Sequence, residues 1–455
     1  MRVKGKKFVK VVKRKIPWLE HVIDSQEAAY DLNLEESLIA RVPRGSLCVY
    51  CKASKMLCGK PTCPIILKLR SYVKVGLHLT SQNMYGSSPP AVFVGRHGYP
   101  YVNVGPLIPP FQGDTSLYDA PERWLEQGLG IENVVDMRVK LVRGKARAHV
   151  KEAEEPNRLL EAVQEAALSA TPVGAEVWFK RKPIASLLLD DDVQPMGPSA
   201  PMEKLRVEEV KVHRGLEKAF SDVDLKAEEA LMKLYLDGVP ISQLQRAFSV
   251  GVMGLKGRRR LVPTRWSITA VDSTLSRRLR DEVVKRGREL SEYRVYSLNV
   301  LDNEFLILMM PGNWSYESIE AWYPGTAWNP DQGNLAFCGD WEGYWGRATY
   351  ASMGGCYYAA RLAVTEALAK ERRQAQVLIL REARPGYLLP VGVWIVREAV
   401  REALRRKPVT FSSAEEVLQY AFSKLRIRPE AWFSVSKLLG DLKKQEKITK
   451  YLERK

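Results

Sequence analysis

Histidine is scarce in this chain: there are five in 455 residues, and none is followed by glutamate. That excludes an H-E-x-x-H metal centre. No G-K-[ST] step occurs, which removes the P-loop, and the Gly-rich stretch 87–118 holds no G-x-G-x-x-G fingerprint. No apolar run approaches the roughly 18 residues of a membrane-spanning helix. The basic first residues are not followed by an apolar segment of the signal-peptide kind, so a cytoplasmic protein is expected. Cysteines number only six, and their crowding argues against a disulfide framework. Residues 1–16, MRVKGKKFVKVVKRKI, contain no acid at all, so this basic arm either tracks phosphates or stands as a solvated tail.

The charge that is present is lopsided. Lys and Arg number 70 against 53 Asp and Glu, a formal net charge of +17. Such an excess points to a polyanionic partner, most often nucleic acid. Hydrophobic content of 45% and charged content of 27% are those of an ordinary globular protein. At this length the chain can bury more than one core, so two or three domains are expected.

Four of the six cysteines fall within one short stretch, Cys48, Cys51, Cys58 and Cys63, at spacing C-x2-C-x6-C-x4-C. Four thiolates at about 2.3 Å satisfy a tetrahedral zinc ion. The C-x2-C step lets two sulfurs reach one metal, and Gly59 and Pro61 suit a tight return between the other two. Lys52, Lys55 and Lys60 offset the negative charge of the site and favour thiolates. A four-cysteine iron–sulfur cluster and a pair of disulfides meet the same chemistry. One structural zinc is the expectation, and with four protein ligands it leaves no open coordination position for catalysis.

The rest of the chain reads as an α/β protein of mixed α+β type, two-lobed, with a small zinc-stapled N-terminal module. Residues 1–80 hold the basic arm and the cysteines. Residues 81–190 form a first α/β lobe, 191–222 a linker marked by Gln194-Pro-Met-Gly-Pro-Ser-Ala-Pro201, 223–428 a second α/β lobe, and 429–455 a tail. Short β-rich runs at 91–94 and 101–104 alternate with Gly95, Gly98 and Gly105. Residues 134–151 carry strand periodicity. Pro156–Ala170 is an amphipathic helix, with Leu159, Leu160, Val163, Ala166 and Ala167 on one face. Helices at 225–237 and 241–248 flank Gly238-Val-Pro240, the outline of a helical hairpin that a helix-turn-helix shares.

Candidate functional residues fall in three places. Arg258, Arg259 and Arg260 stand close to Trp266, a combination that can grip a backbone and stack a base. Aromatics crowd residues 314–358, which builds either an irregular core or a pocket for planar ligands. If the chain is an enzyme, the candidates are Arg96, His97, Arg265, Asp272, Glu342 and Arg347, the arginines to hold phosphates and Asp272 or Glu342 as a general base or metal ligand. Finally, Gln445, Ile448, Tyr451 and Leu452 follow the Q-x-x-aliphatic-x-x-aromatic-aromatic spacing of peptides that dock on sliding clamps, with Leu452 where a second aromatic is usual.

Nearly the whole chain resembles the archaeal Nre family of DNA-repair proteins. The resemblance rests on the four cysteines, Ser88-Pro-Pro-Ala-Val-Phe-Val-Gly-Arg96, Gly98-Tyr-Pro100, Val104-Gly-Pro106, Gly113-Asp-Thr-Ser116 and Ser221–Ala227. Leu261–Asp272, Tyr344-Trp-Gly-Arg347, Tyr357-Tyr-Ala-Ala-Arg361 and Gly392-Val-Trp-Ile-Val-Arg397 complete it. It implies a zinc-finger-like N-terminal site, a role in the response to DNA damage and a C-terminal motif for the sliding clamp (PCNA). The expected function is a zinc-bearing, DNA-binding, clamp-tethered repair factor without a membrane partner. The alternatives are an enzyme acting on a nucleotide or nucleic acid, and an RNA-binding module.

Overall fold

The computed structural model describes Cys51, residues 62–76, Leu79, and residues 81–184, 196–329 and 333–443. In chain order the first part contains α1 (Pro64–Gly76), β1 (Asn83–Ser88), β2 (Val92–Val94), β3 (Tyr101–Ile108), α2 (Pro121–Trp124) and α3 (Ile131–Lys140). Then come β4 (Val142–His149), α4 (Arg158–Leu168), β5 (Val173–Phe179), β6 (Ser199–Val207), α5 (Arg214–Ser221), α6 (Ala227–Leu236), α7 (Ile241–Ser249) and α8 (Thr264–Glu282). The second part contains β7 (Arg288–Glu289), β8 (Tyr293–Val300), β9 (Asn303–Met310), β10 (Ser315–Trp322), β11 (Ala336–Glu342) and α9 (Gly355–Glu371). It ends with β12 (Arg373–Gln374), β13 (Gln376–Ala383), α10 (Trp394–Arg405), β14 (Val409–Phe411), α11 (Ala414–Ser423) and α12 (Pro429–Val435). The architecture is mixed α/β, as the periodicities predict.

Two six-stranded sheets organise these elements. The first has the order β1-β5-β6-β4-β3-β2, antiparallel except for the β4–β6 pair. Val92, Val94, Val102, Val104, Val142 and Ala148 alternate along its strands and share one core with Leu160 and Val163 of α4. Asn157 caps α4, its side chain accepting the Leu159 and Leu160 N–H groups at 3.1 and 3.0 Å. The second sheet, β11-β10-β13-β9-β8-β14, is antiparallel except for β10–β13. It is covered on both faces, and β9 shows the split: Phe305, Ile307 and Met309 enter the core under α9 and α10, while Leu306, Leu308 and Met310 enter the core under α11 and α12. A strand covered on both faces needs the continuous apolar run that 305–310 supplies.

Three stretches differ from the sequence reading. Residues 134–151 are not one strand, because α3 packs Val134, Val135 and Val139 into a core before β4 begins at Val142. The stretch 191–222 holds β6 and α5; a Pro- and Gly-rich start did not stop Ala200, Met202 and Leu205 from being buried, with a bulge between Met202 and Lys204. The helical hairpin at 227–249 has its second helix buried, with Leu244 and Ala247 fully inside, so α7 is no recognition helix. These helices, with Val271, Leu275 and Leu279 of α8, complete the core of the first sheet. Among the described residues no helix is long and apolar enough to cross a membrane.

Candidate nucleic-acid interface

The turn between β2 and β3 places the first candidates. The Gly95 N–H donates to the Asn103 carbonyl at 2.7 Å, and the Tyr101 N–H to the Gly98 carbonyl at 2.9 Å. Gly98 has φ +75, a conformation that favours glycine, and it lies against the Arg147 guanidinium. The Tyr99–Pro100 bond is cis. This turn carries Arg96, His97 and Tyr99 outward. The Val94 N–H donates to Thr264 Oγ1 at 2.8 Å, which ties it to the first residue of α8.

That tie brings together candidates that are 160 or more residues apart in sequence. Ser267 turns inward and donates to the Gln245 carbonyl at 2.6 Å, leaving Arg265 and Trp266 on the outer side of the first helical turn. The Trp266 and Tyr99 rings meet with centroids 5.3 Å apart. Tyr101 lies edge-on to His149 at 4.9 Å. These rings are not core: Tyr99, Tyr101 and Trp266 are 47%, 54% and 46% exposed. Arg96, Arg147 and Arg265 surround them, and neither 92–108 nor 142–149 contains an acid. Exposed rings within a positive field suit bases with their phosphates.

The arginine triplet divides. Arg258 and Arg260 are exposed on the loop that leads to α8. Arg259 donates from Nε to the Gly254 carbonyl at 2.9 Å, from Nη1 to the Phe220 carbonyl at 2.8 Å and from Nη2 to the Asp222 carbonyl at 2.9 Å. It fastens the loop and is not presented to a phosphate.

The candidates for chemistry do not gather in one place. They are strung along α8, whose 19 residues span about 28 Å at 1.5 Å per residue. Arg96, His97 and Arg265 lie at its start. Asp272 lies in its middle, fully buried and paired with Arg397 at 2.9 Å. Glu342 meets its far end, buried between Arg280 at 2.8 Å and Arg361 at 2.5 Å. Burial pushes the Glu342 carboxyl up, but the Arg361 and Arg280 guanidiniums outweigh it and hold it below its ordinary value. Arg347 pairs with Asp340 at 2.7 Å. Burial also pushes the Asp340 carboxyl up, and hydrogen bonds from Arg347 and two backbone N–H groups hold it low. Among the described residues no group of three or more His, Cys, Asp or Glu could hold a metal ion. The aromatic-rich region is core in part: Trp314, Tyr316 and Tyr357 are buried around Glu342, while Trp345 and Tyr350 face outward.

The sequence reading passed over Tyr99, Tyr101, Arg147 and His149. The signal was Arg143-x-Lys145-x-Arg147-x-His149, a row of period two visible once 142–149 is taken alone as a strand. Cys51 and Cys63 are buried, and the Leu67 N–H donates to the Cys63 carbonyl at the start of α1. Cys48, Cys58 and the tail residues Gln445, Ile448, Tyr451 and Leu452 lie outside the described residues.

Two family models match the chain. The archaeal Nre N-terminal model matches residues 57–329, and the archaeal Nre C-terminal model matches residues 342–451. The chain belongs to the archaeal Nre family. It is similar to the DNA repair protein NreB of Archaeoglobus fulgidus, 40% identical over 393 residues that cover 86% of this chain and 96% of that one. It is also similar to DNA repair protein NreA of the same organism, 35% identical over 85% of this chain and 95% of the relative. A third relative, DNA repair protein NreA of Haloferax volcanii, is 35% identical over 70% of this chain and 78% of its own. No solved structure matches the chain. In this Nre protein the exposed aromatic patch falls wholly within the N-terminal family segment, while Glu342, Arg361 and Arg397 fall in the C-terminal one.

Proposed function

We propose that this Nre protein is a DNA-repair factor that binds nucleic acid at the patch of Tyr99, Tyr101 and Trp266 with Arg96, Arg147 and Arg265. The observation that carries the reading is the Tyr99–Trp266 contact: two exposed rings from distant parts of the chain, beside strands β2, β3 and β4 that contain no acid. Relatives whose names say DNA repair support the same reading. Phosphate binding releases counterions, so affinity should fall steeply with salt. Trp266→Ala should weaken binding of a fluorescent DNA by about 1–3 kcal/mol, the value of one stacked base, with thermal stability kept because the ring is half exposed. An anisotropy titration that is flat in salt and indifferent to this change would remove the interface. The enzyme reading has lost its constellation, since its acidic candidates are engaged in buried ion pairs away from the patch.

Two further features belong to this reading. One zinc ion would be held by Cys48, Cys51, Cys58 and Cys63. The donor set suits it, and the burial of Cys51 and Cys63 is what a closed structural site requires. Such a zinc would staple the segment before α1 and supply no chemistry. Cys51→Ser should lower zinc content and melting temperature, and a variant with full zinc by elemental analysis would reject the site. The tail would dock on the sliding clamp through Gln445, Ile448, Tyr451 and Leu452, which raises the local concentration of the protein on DNA. Tyr451→Ala should abolish clamp binding in calorimetry, and unchanged affinity would reject the motif.

A further inference from the structure

The outer face of the first sheet carries an unusual row. In β4, Val142 and Ala148 point into the core, so Arg143, Lys145, Arg147 and His149 share the opposite face. Successive members of the row are about 6.8 Å apart, two residues of an antiparallel strand, comparable with the phosphate repeat of an extended single strand. The register sets Tyr101 beside His149, Asn103 beside Arg147 and Leu107 beside Arg143. β2, β3 and β4 contain no Asp or Glu.

Among the described residues no carboxylate pairs with Arg143, Lys145 or Arg147. The Arg143 guanidinium lies over the Phe93 ring at 5.6 Å, and its Nε is buried without a hydrogen-bond partner. Burial, with Arg143 and Arg181 nearby, pushes the Lys145 ammonium down to about 8. Gathering like charges in a partly desolvated place is costly.

The row also has a direction. Arg147 is exposed beside the Tyr99–Trp266 patch, next to Gly98. Arg143, at the other end, is largely covered: its Nη1 lies against the Met196 sulfur, and the Tyr72 hydroxyl donates to the Met196 carbonyl at 2.5 Å. The charge therefore runs from an open aromatic mouth to a roofed end.

We propose that the open part of this row is a track for single-stranded DNA, with bases stacked on Tyr99, Tyr101 and Trp266 at the mouth and backbone phosphates at Arg147 and Lys145 along β4, while the covered Arg143 marks where the track ends. The proposal rests on the nucleic-acid reading above and adds the strandedness and the path. A duplex hides its bases from the three rings, whereas unpaired bases supply the faces that stacking needs.

The test uses the full-length protein and three fluorescent probes of about twenty nucleotides: oligo-dT, a DNA duplex and oligo-rU. Oligo-dT should bind about tenfold tighter than the duplex. Lys145→Met should weaken oligo-dT about tenfold and flatten its salt slope by about 0.7, the share of one phosphate on a single strand. Its melting temperature should hold or rise, because a crowded cation has been removed. A purely structural lysine would lower stability and leave the salt slope alone. Should Lys145→Met fold poorly, Arg147→Ala changes an exposed side chain and carries the same salt-slope test. Equal binding of duplex and oligo-dT, or a Lys145→Met protein that binds oligo-dT like the parent, overturns the track. If Trp266→Ala still weakens both probes, the interface itself survives that result. Tighter binding of oligo-rU overturns the assignment to DNA. Failure to bind all three probes ends both readings.

Discussion

Glu342→Ala should destabilise the protein by about 3–5 kcal/mol, the cost of leaving buried charge without its partner. The carboxylate is 1% exposed and accepts four hydrogen bonds. Oε1 takes Arg280 Nη1 at 2.8 Å and Trp314 Nε1 at 3.2 Å; Oε2 takes Arg361 Nη1 at 2.5 Å and the Tyr357 hydroxyl at 3.2 Å. It thus pins β11 to α8 through Arg280 and to α9 through Arg361. Removal would leave the buried Arg361 guanidinium without a carboxylate, while Arg280 keeps Asp281. Glu342→Gln keeps the shape but turns an amide N–H2 toward one of the two guanidiniums, so it should recover only part of the loss. The pH dependence has a definite sign. The folded carboxyl titrates below its ordinary value of about 4.3, so the stabilisation is complete above that value and is lost as pH falls through the lowered folded value. Urea unfolding of parent and variants, repeated from neutral pH to pH 3, checks both statements. A Glu342→Ala protein within about 1 kcal/mol of the parent would show that the network carries no stability.

Asp272→Ala should have a comparable effect, about 3 kcal/mol or more. Asp272 sits in the middle of α8 at 0% exposure. Its Oδ1 accepts Gln245 Nε2 at 3.0 Å and Arg397 Nη1 at 3.0 Å, and its Oδ2 accepts the same Nη1 at 2.9 Å. Arg397 then donates to Glu398 at 3.0 Å, and Arg401 joins Glu398 to Glu366. This chain of charges fastens α8 of the first core to α9 and α10 of the second, so its loss should loosen the join between them. The contrast with a catalytic role is clean. A general base changed to asparagine keeps its fold and loses its activity. Here Asp272→Ala should lose stability, and the fraction that remains folded should bind DNA like the parent. Thermal unfolding together with anisotropy at low temperature separates the two. A variant with normal stability and no DNA-linked function would return Asp272 to chemistry.

Both predictions correct the same habit of sequence reading. An isolated Asp or Glu among aromatics and arginines looks like a reacting group, because polar side chains are expensive to bury without a reason. In this protein the reason is cohesion. Glu317 accepts the Ser436 hydroxyl and the Lys437 and Leu438 N–H groups, and Glu382 accepts the Arg426 and Ile427 N–H groups, so buried carboxylates also tie the C-terminal segments to the second sheet. Nothing local distinguishes such residues from catalytic ones. Their partners lie elsewhere in the chain: Arg361 is 19 residues from Glu342, Arg280 is 62 from it, and Arg397 is 125 from Asp272.

The sequence by itself determined the mixed α/β class, the family, the basic character and the position of α4, whose apolar spacing and Asn157 cap are local properties of ten or so residues. It also singled out Arg96 and Trp266 as candidates, the first from its Gly-rich turn and the second from the neighbouring arginine triplet. Only the tertiary structure decided that these residues share one surface, that α6, α7 and α8 complete the first core, and that Asp272 and Glu342 are neutralised. The physical reason is separation along the chain. Periodicity and capping are settled by neighbours within a turn or two, whereas the Val94–Thr264 bond, the Tyr99–Trp266 contact and the buried ion pairs join residues that only the folded core brings within reach.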